Sequence, residues 1–368
     1  MRQGMSKGRA RDSGWFRPAT RTRGLLIGGI LLGLGIAPSS SVAQKPEGPV
    51  VELRSDLVSF TVSVTGPRGE SLRHLTREDF VVYENGERQQ ISHFATVDAP
   101  VDVVLLVDTS GSMRGELRTI QRAAARFIER MRPQDRVALV EFNREAILHV
   151  DFTRERKRAI GALRDLRAGS ATAFYDALAV VADELLRVAS ERKAIVGLTD
   201  GVDSASFYDF PEAAKRLERA AVAVYIIELD TESFVIEGIR RGDLTLSPAQ
   251  LERYRRVYRP HDPPFRYRQP FFFTPEELIE ITRGLYRLAR RELRQLAERT
   301  GGRVYPLKHL AQLDDVYAQI RAELGTLYSI GYYPSRSERD GTWRAIRVEV
   351  AVPGARVHAR SGYWAPSK

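Results

Sequence analysis

The chain has 368 residues, 43% hydrophobic and 28% charged, with a formal net charge of +10 and no cysteine. These are globular fractions: they exclude disordered, collagen-like and coiled-coil chains, and the length suggests two or three domains. The lack of cysteine excludes disulfides, thiolate metal sites, iron–sulfur clusters and a cysteine nucleophile, while the basic excess, taken alone, suggests a polyanion partner.

Residues 1–23 hold Arg2, Lys7, Arg9, Arg11, Arg17, Arg21 and Arg23 against one acid, Asp12. Gly24 to Ile36 is an uncharged run of thirteen residues. Pro38 closes it, and Ser41-Val42-Ala43 supplies the small residues of a cleavage site. A basic start, a short apolar core and a small-residue site read as a secretion signal. The run is shorter than the roughly 17–25 residues of a spanning helix. The expectation is cleavage after Ala43 and an extracytoplasmic mature chain, periplasmic or secreted, with no transmembrane span; an uncleaved N-terminal anchor is the alternative. Residues 1–43 carry seven bases and one acid, so their removal takes the net charge from +10 to +4. Most of the basic excess therefore belongs to the signal.

Residues 44–98 read as an N-terminal β module. Leu57 to Val64 alternates apolar and small polar residues, the period of a strand. Gly66-Pro67-Arg68-Gly69 is a turn, and Phe80 to Tyr83 is a second strand. Asn85-Gly86 is a strong hairpin signal leading to a third strand near Ile91 to Phe94.

From residue 99 to 325 the pattern is one of strands alternating with helices. Strands are expected at Val103–Val107, Val137–Phe142, Ile147–Phe152, Ala194–Leu198, Val222–Leu229 and 303–307. Helices are expected near 116–131, 154–167, 174–189, 211–221, 285–299 and 309–324. This alternation predicts a doubly wound, mostly parallel, Rossmann-like sheet covered on both faces. Residues 231–275 fit neither class and read as a long insertion, rich in Arg and Tyr over 253–268. Residues 326–368 return to strand character at Leu327–Tyr333, Arg344–Val352 and Arg356–Tyr363 and form a C-terminal β module. The fold class expected is α/β with a flanking β-sandwich formed from N- and C-terminal strands; two separate β modules are the alternative.

Asp108-Thr109-Ser110-Gly111-Ser112 follows the first buried strand and precedes a helix. Gly169-Ser170-Ala171-Thr172 lies at another helix start, and Leu198-Thr199-Asp200-Gly201 leaves a third strand. All three belong at the carboxyl edge of one sheet, where open α/β sheets bind ligands. Two carboxylates and three hydroxyls, without histidine or sulfur, suit a hard cation such as Mg²⁺. A helix-capping loop is the plain alternative for Asp108 to Ser112. Asp203 either supports the site or is a turn residue.

Asp108-x-Ser110-x-Ser112 with Thr172 and Asp200 resembles the metal-ion-dependent adhesion site of von Willebrand factor A domains. That resemblance implies Ser110, Ser112 and Thr172 as direct ligands, with Asp108 and Asp200 acting largely through water. It also implies an antiparallel edge strand at Ile147 to Phe152. Asp79-Phe80-x-Val82, Glu84-Asn85-Gly86 and Ile91, with Gly331-Tyr332-Tyr333-Pro334 and Ser361-Gly362-Tyr363, resemble a bacterial VWFA-related domain family of secreted acidobacterial proteins. Together these likenesses span nearly all of the mature chain except the insertion.

The function so implied is a binding or adhesion module, not an enzyme. It would hold Mg²⁺, or Mn²⁺ or Ca²⁺, completed by an Asp, Glu or other oxygen of a protein partner. A structural envelope component with a stabilising metal and a metal-dependent hydrolase are the alternatives. The motifs of nucleotide binding, serine hydrolases and zinc proteases are absent, and the six histidines show no ligand spacing. Arg241-Gly242-Asp243 spells an adhesion tripeptide, best explained as chance in a chain this rich in Arg and Gly. The Arg/Tyr run could stack on nucleic acid or pack on the domain, and a mature charge of +4 speaks against nucleic acid. The insertion leaves the carboxyl end of Val222–Leu229, so it is expected to emerge on the metal face as one wall of the ligand site.

Overall fold

A computed structural model describes residues 57–97, 100–188, 192–263, 273–336 and 338–367. The expected signal at 1–43 and part of the insertion, 264–272, lie outside the described residues.

The described residues open with strands β1 (Val58–Thr65), β2 (Phe80–Glu84), β3 (Glu87–Gln89) and β4 (Ile91–Val97). Asn85 (φ 49°) and Gly86 (φ 87°) make the tight turn between β2 and β3, as the Asn-Gly pair dictates. The strand expected after that turn is two strands. β3 stays beside β2, while β4 lies in a different sheet against the C-terminal β11.

The α/β body follows in order: β5 (Asp102–Asp108), α1 (Leu117–Glu129), β6 (Arg136–Phe142), β7 (Ala146–Thr153), α2 (Arg156–Ala162), α3 (Phe174–Leu186), β8 (Lys193–Thr199), α4 (Phe210–Ala220) and β9 (Ala223–Leu229). After these come α5 (Glu232–Arg241), α6 (Pro248–Tyr258), α7 (Pro275–Thr300), β10 (Val304–Leu307) and α8 (Leu313–Leu324). The sheet order is β10-β9-β8-β5-β6-β7. All neighbours are parallel except β7, an antiparallel edge strand on β6. β5 is apolar from Val103 to Val107 because both its faces are covered. Val103, Leu105 and Val107 pack with Ile120, Phe127 and Tyr317 of α1 and α8.

β11 (Leu327–Tyr332), β12 (Trp343–Val350), β13 (Arg356–Ala359) and β14 (Gly362–Trp364) close the described chain. They interleave with the N-terminal strands in two four-stranded sheets, β13-β1-β11-β4 and β14-β12-β2-β3. Phe60, Val62, Phe80, Val82, Tyr328 and Ile346 form one core between them. The last strand expected from the sequence, Arg356–Tyr363, turns the corner between sheets at Arg360-Ser361, so β13 pairs with β1 and β14 with β12.

Two boundaries differ from expectation. The helix expected at 285–299 begins ten residues earlier, at Pro275. Thr274 caps it in a box with Glu277 and Pro275 occupies its first position. The stretch read as an irregular insertion contains α5 and α6; Ser247, Pro248 and Gln250 start α6 in the same way.

Candidate metal centre

β5, β8 and β9 are adjacent and parallel, so their carboxyl ends deliver Asp108, Asp200 and Thr231 to one edge. The Ser110 amide donates to Asp108 Oδ1 (2.8 Å), folding the loop back over the strand end. The Thr199 hydroxyl donates to Asp108 Oδ2 (2.6 Å). Ser110 Oγ lies 3.2 Å from Ser112 Oγ, and Ser112 Oγ donates to Asp200 Oδ2 (3.0 Å). Asp200 Oδ1 accepts from the Val202 amide (3.0 Å). Four of the five candidate residues, Ser110, Ser112, Thr172 and Asp200, line one groove. The fifth, Asp108, is fully buried beneath the loop.

Thr172 reaches the site by a loop-to-loop zipper. Its amide donates to Ser204 Oγ (2.9 Å), and the Ser204 amide donates to the Thr172 carbonyl (2.9 Å). Asp203, placed by sequence as either a support or a turn residue, does both jobs. Its Oδ1 accepts the Ser206 amide (3.0 Å) in a local turn, and its Oδ2 accepts the Phe174 amide (2.8 Å) at the start of α3. Asp176 of α3 returns the contact, accepting the amides of Phe207 and Tyr208. The free donors of a helix N-terminus are thus satisfied by a neighbouring loop, and the loops bearing Thr172 and Asp200 are locked together.

Four supporting residues escaped the sequence reading. Thr231 Oγ1 donates to Asp200 Oδ2 (2.6 Å) and lies 2.6 Å from the hydroxyl of Tyr286 on α7. Behind the first loop, buried Glu141 accepts from Thr109 Oγ1 (2.7 Å) and meets His149 Nε2 (2.6 Å). A hydroxyl just past the carboxyl end of β9 was the available signal for Thr231. Tyr286 had none: it lies within the helix expected at 285–299, but nothing local in the sequence sets that helix beside the end of β9.

Burial pushes the Asp108 carboxyl up to about 7, helped by the nearby Asp200 charge. Burial also raises Asp200, against the hydrogen bonds from Thr231, Val202 and Ser112. Neither carboxylate forms an ion pair with Lys, Arg or His among the described residues. No cluster of three or more His, Cys, Asp or Glu side chains suits a metal there. The donor set is therefore two carboxylates and three hydroxyls. Buried acids without a counter-charge, ringed by neutral oxygens, fit a hard divalent cation, which favours oxygen ligands and retains waters.

The groove extends from these residues to α5, α6 and α7 and measures about 850 Å³. Part of the Arg/Tyr run builds this architecture. Arg253 stacks on the Tyr175 ring (4.5 Å), hydrogen-bonds its hydroxyl and pairs with Glu292 of α7 (2.5 Å). Tyr254 is buried, and the Tyr258 hydroxyl donates to the Gly284 carbonyl (3.1 Å). In the Arg-Gly-Asp tripeptide, Gly242 (φ 77°) caps α5 and Arg241 pairs with Glu237 (2.9 Å).

Residues 103–202 match a family model described as the von Willebrand factor type A domain. No curated protein matches the chain. Among solved structures, it is similar to the vWF domain of the type V pili tip protein Mfa5 from Porphyromonas gingivalis, at 27% identity and a TM-score of 0.28 over 29% of this chain. That match spans 40% of the pilus-tip structure. It is also similar to an aerotolerance-related membrane protein from Bacteroides fragilis, at 16% identity and a TM-score of 0.40 over 61% of this chain and 98% of that one. A von Willebrand factor type A structure from Catenulispora acidiphila matches at 12% identity and a TM-score of 0.41, over 86% and 75% of the two chains.

Proposed function

We propose that this chain, whose residues 103–202 are a von Willebrand factor type A domain, is a binding module that recognises a protein partner through a divalent cation. Asp108, Ser110, Ser112, Thr172 and Asp200 would hold the ion, Mg²⁺ or else Mn²⁺ or Ca²⁺. The observation that carries this reading is the pair of buried carboxylates, Asp108 and Asp200, facing hydroxyls with no basic partner among the described residues. When bound, the cation supplies a positive centre with a coordination position for an oxygen from outside. This chain's residues do the rest. Thr199 and the Ser110 amide orient Asp108, Thr231 and Ser112 orient Asp200, and the Ser204 zipper sets Thr172.

Acting on a partner outside the cytoplasm, after loss of residues 1–43, is part of the same proposal. Among the described residues no helix is long and apolar enough to cross a membrane. A hydrolase reading is less well supported: among the described residues the groove lining holds no histidine or glutamate, and its one carboxylate, Asp200, accepts from Ser112, Thr231 and the Val202 amide. A purely structural metal would explain the buried oxygens but not a groove opening onto them.

The deciding experiment is a pull-down from envelope extract in Mg²⁺, eluted with EDTA. Capture is expected in Mg²⁺ only, and is lost in Asp200→Asn while that variant still melts cooperatively. Capture that survives EDTA would show that the ion is not the contact.

A further inference from the structure

The groove is far larger than a carboxylate: its volume of about 850 Å³ is in the range that takes a whole small ligand or several residues of a peptide. Its chemistry changes from one side to the other. The metal loops contribute Ser110, Ser112, Thr172 and Asp200. The facing wall, from α5 and the loop after it, contributes Phe234, Val235, Leu244 and Leu246. Phe234 is 59% exposed and Leu244 38%, so large apolar side chains stand uncovered beside a polar centre. Such a patch, rimmed by polar groups, marks an interaction surface. Arg114 and Arg144 also line the groove. Both are exposed and neither pairs with an acid among the described residues.

We propose that the groove takes an extended segment of a protein partner in which an acidic residue is followed directly by large aliphatic or aromatic residues. The carboxylate faces the metal centre and the arginines, and the apolar side chains cover Phe234 and Leu244. The carboxylate half rests on the metal reading above; the apolar half goes beyond it. Charge complementarity selects the occupant: the arginines and a bound cation call for an anion. A purely apolar ligand would leave Arg114 and Arg144 unanswered, and a nucleic-acid backbone would leave the Phe234–Leu246 wall uncovered. A peptide segment supplies both, with backbone groups for Thr245 and Gln250 along the lining.

The test uses the mature chain and two fluorescent peptides, identical except that one carries Asp-Leu-Leu and the other Asp-Ser-Ser, followed by anisotropy in Mg²⁺ and in EDTA. In Mg²⁺ the leucine peptide should bind at least about tenfold more tightly, as expected for covering two apolar side chains. Leu244→Asp and, separately, Phe234→Ser should shrink that ratio to about twofold or less. Both side chains are exposed enough for these changes to spare the fold, which an unchanged melting temperature checks. Leu186→Asp, an exposed position at the far end of α3, should leave the ratio intact. Equal affinities for the two peptides, a ratio indifferent to both wall variants, or no binding of either peptide in Mg²⁺ would each overturn the proposal. A leucine preference that persists undiminished in EDTA would support the wall and remove the metal reading, so the two failures are distinguishable.

Discussion

Asp200 is held by more than the residues beside it in sequence. Ser112, Thr231 and the Val202 amide all donate to it, and Tyr286 backs Thr231. Thr231→Val keeps the shape and removes one charge-assisted hydrogen bond, a loss of about 1.5–3 kcal/mol where the acceptor is charged. The expected result is weaker Mg²⁺ binding by calorimetry with the fold retained; unchanged affinity would make Thr231 a bystander. Proton linkage gives a second prediction. The Asp108 carboxyl sits above its ordinary value, because burial and Asp200 disfavour its charge. A raised folded-state value means stability that is present below the unfolded value and lost as pH rises through the folded one, here between about 4 and about 7. In EDTA, Asp108→Asn should therefore gain melting temperature relative to the parent chain at about pH 8 but not at about pH 4. Saturating Mg²⁺ should abolish that gain, because the ion answers the charge.

Helices α5, α6 and α7 carry the groove wall, and one close approach joins two of them. A Cβ on Gly284 of α7 would lie 2.4 Å from the Tyr254 ring of α6, which is buried and cannot swing aside. Gly284→Ala therefore forces the helices apart and should cost about 1–3 kcal/mol by urea unfolding, the usual penalty of overpacking. A variant as stable as the parent would show that α6 shifts freely. The same elements show where sequence reading succeeds and fails. β5 and β8 were plain because strands covered on both faces are apolar throughout. α6 and the first half of α7 announce themselves in Ser247-Pro248 with Gln250 and in Thr274-Pro275 with Glu277, signals obscured by the Arg and Tyr residues around them. Those residues look solvated in isolation. In the fold, Arg253 stacks on Tyr175 and pairs with Glu292, residues far away in sequence.

At the scale of the molecule, β1 lies between β11 and β13, so the first described strand is completed by the last part of the chain. The sandwich also grips the α/β body: Glu218 of α4 accepts from Arg299 (2.6 Å) and from the Trp364 indole (3.3 Å), and the Ser361 amide donates to the Arg299 carbonyl (3.2 Å). The secretion signal expected at residues 1–43 is tested at this scale as well. Mass spectrometry of the exported chain is expected to find Gln44 at its start; a chain beginning earlier would favour the anchor.

The sequence by itself determined the alternation of strands and helices, the asparagine–glycine turn, and the three oxygen-rich loops, two at strand ends and one at a helix start. Each is a local matter of periodicity, backbone conformation or side-chain chemistry, which neighbouring residues suffice to specify. Only the tertiary structure decided that β3 and β4 part company, that Asp203 caps a helix from another loop, that Thr231 and Tyr286 stand behind Asp200, and that the wall the insertion gives the groove is apolar. Those are contacts between residues tens to hundreds of positions apart. They depend on which buried polar groups and apolar faces find one another when the sheets and helices pack, and no local pattern encodes that choice.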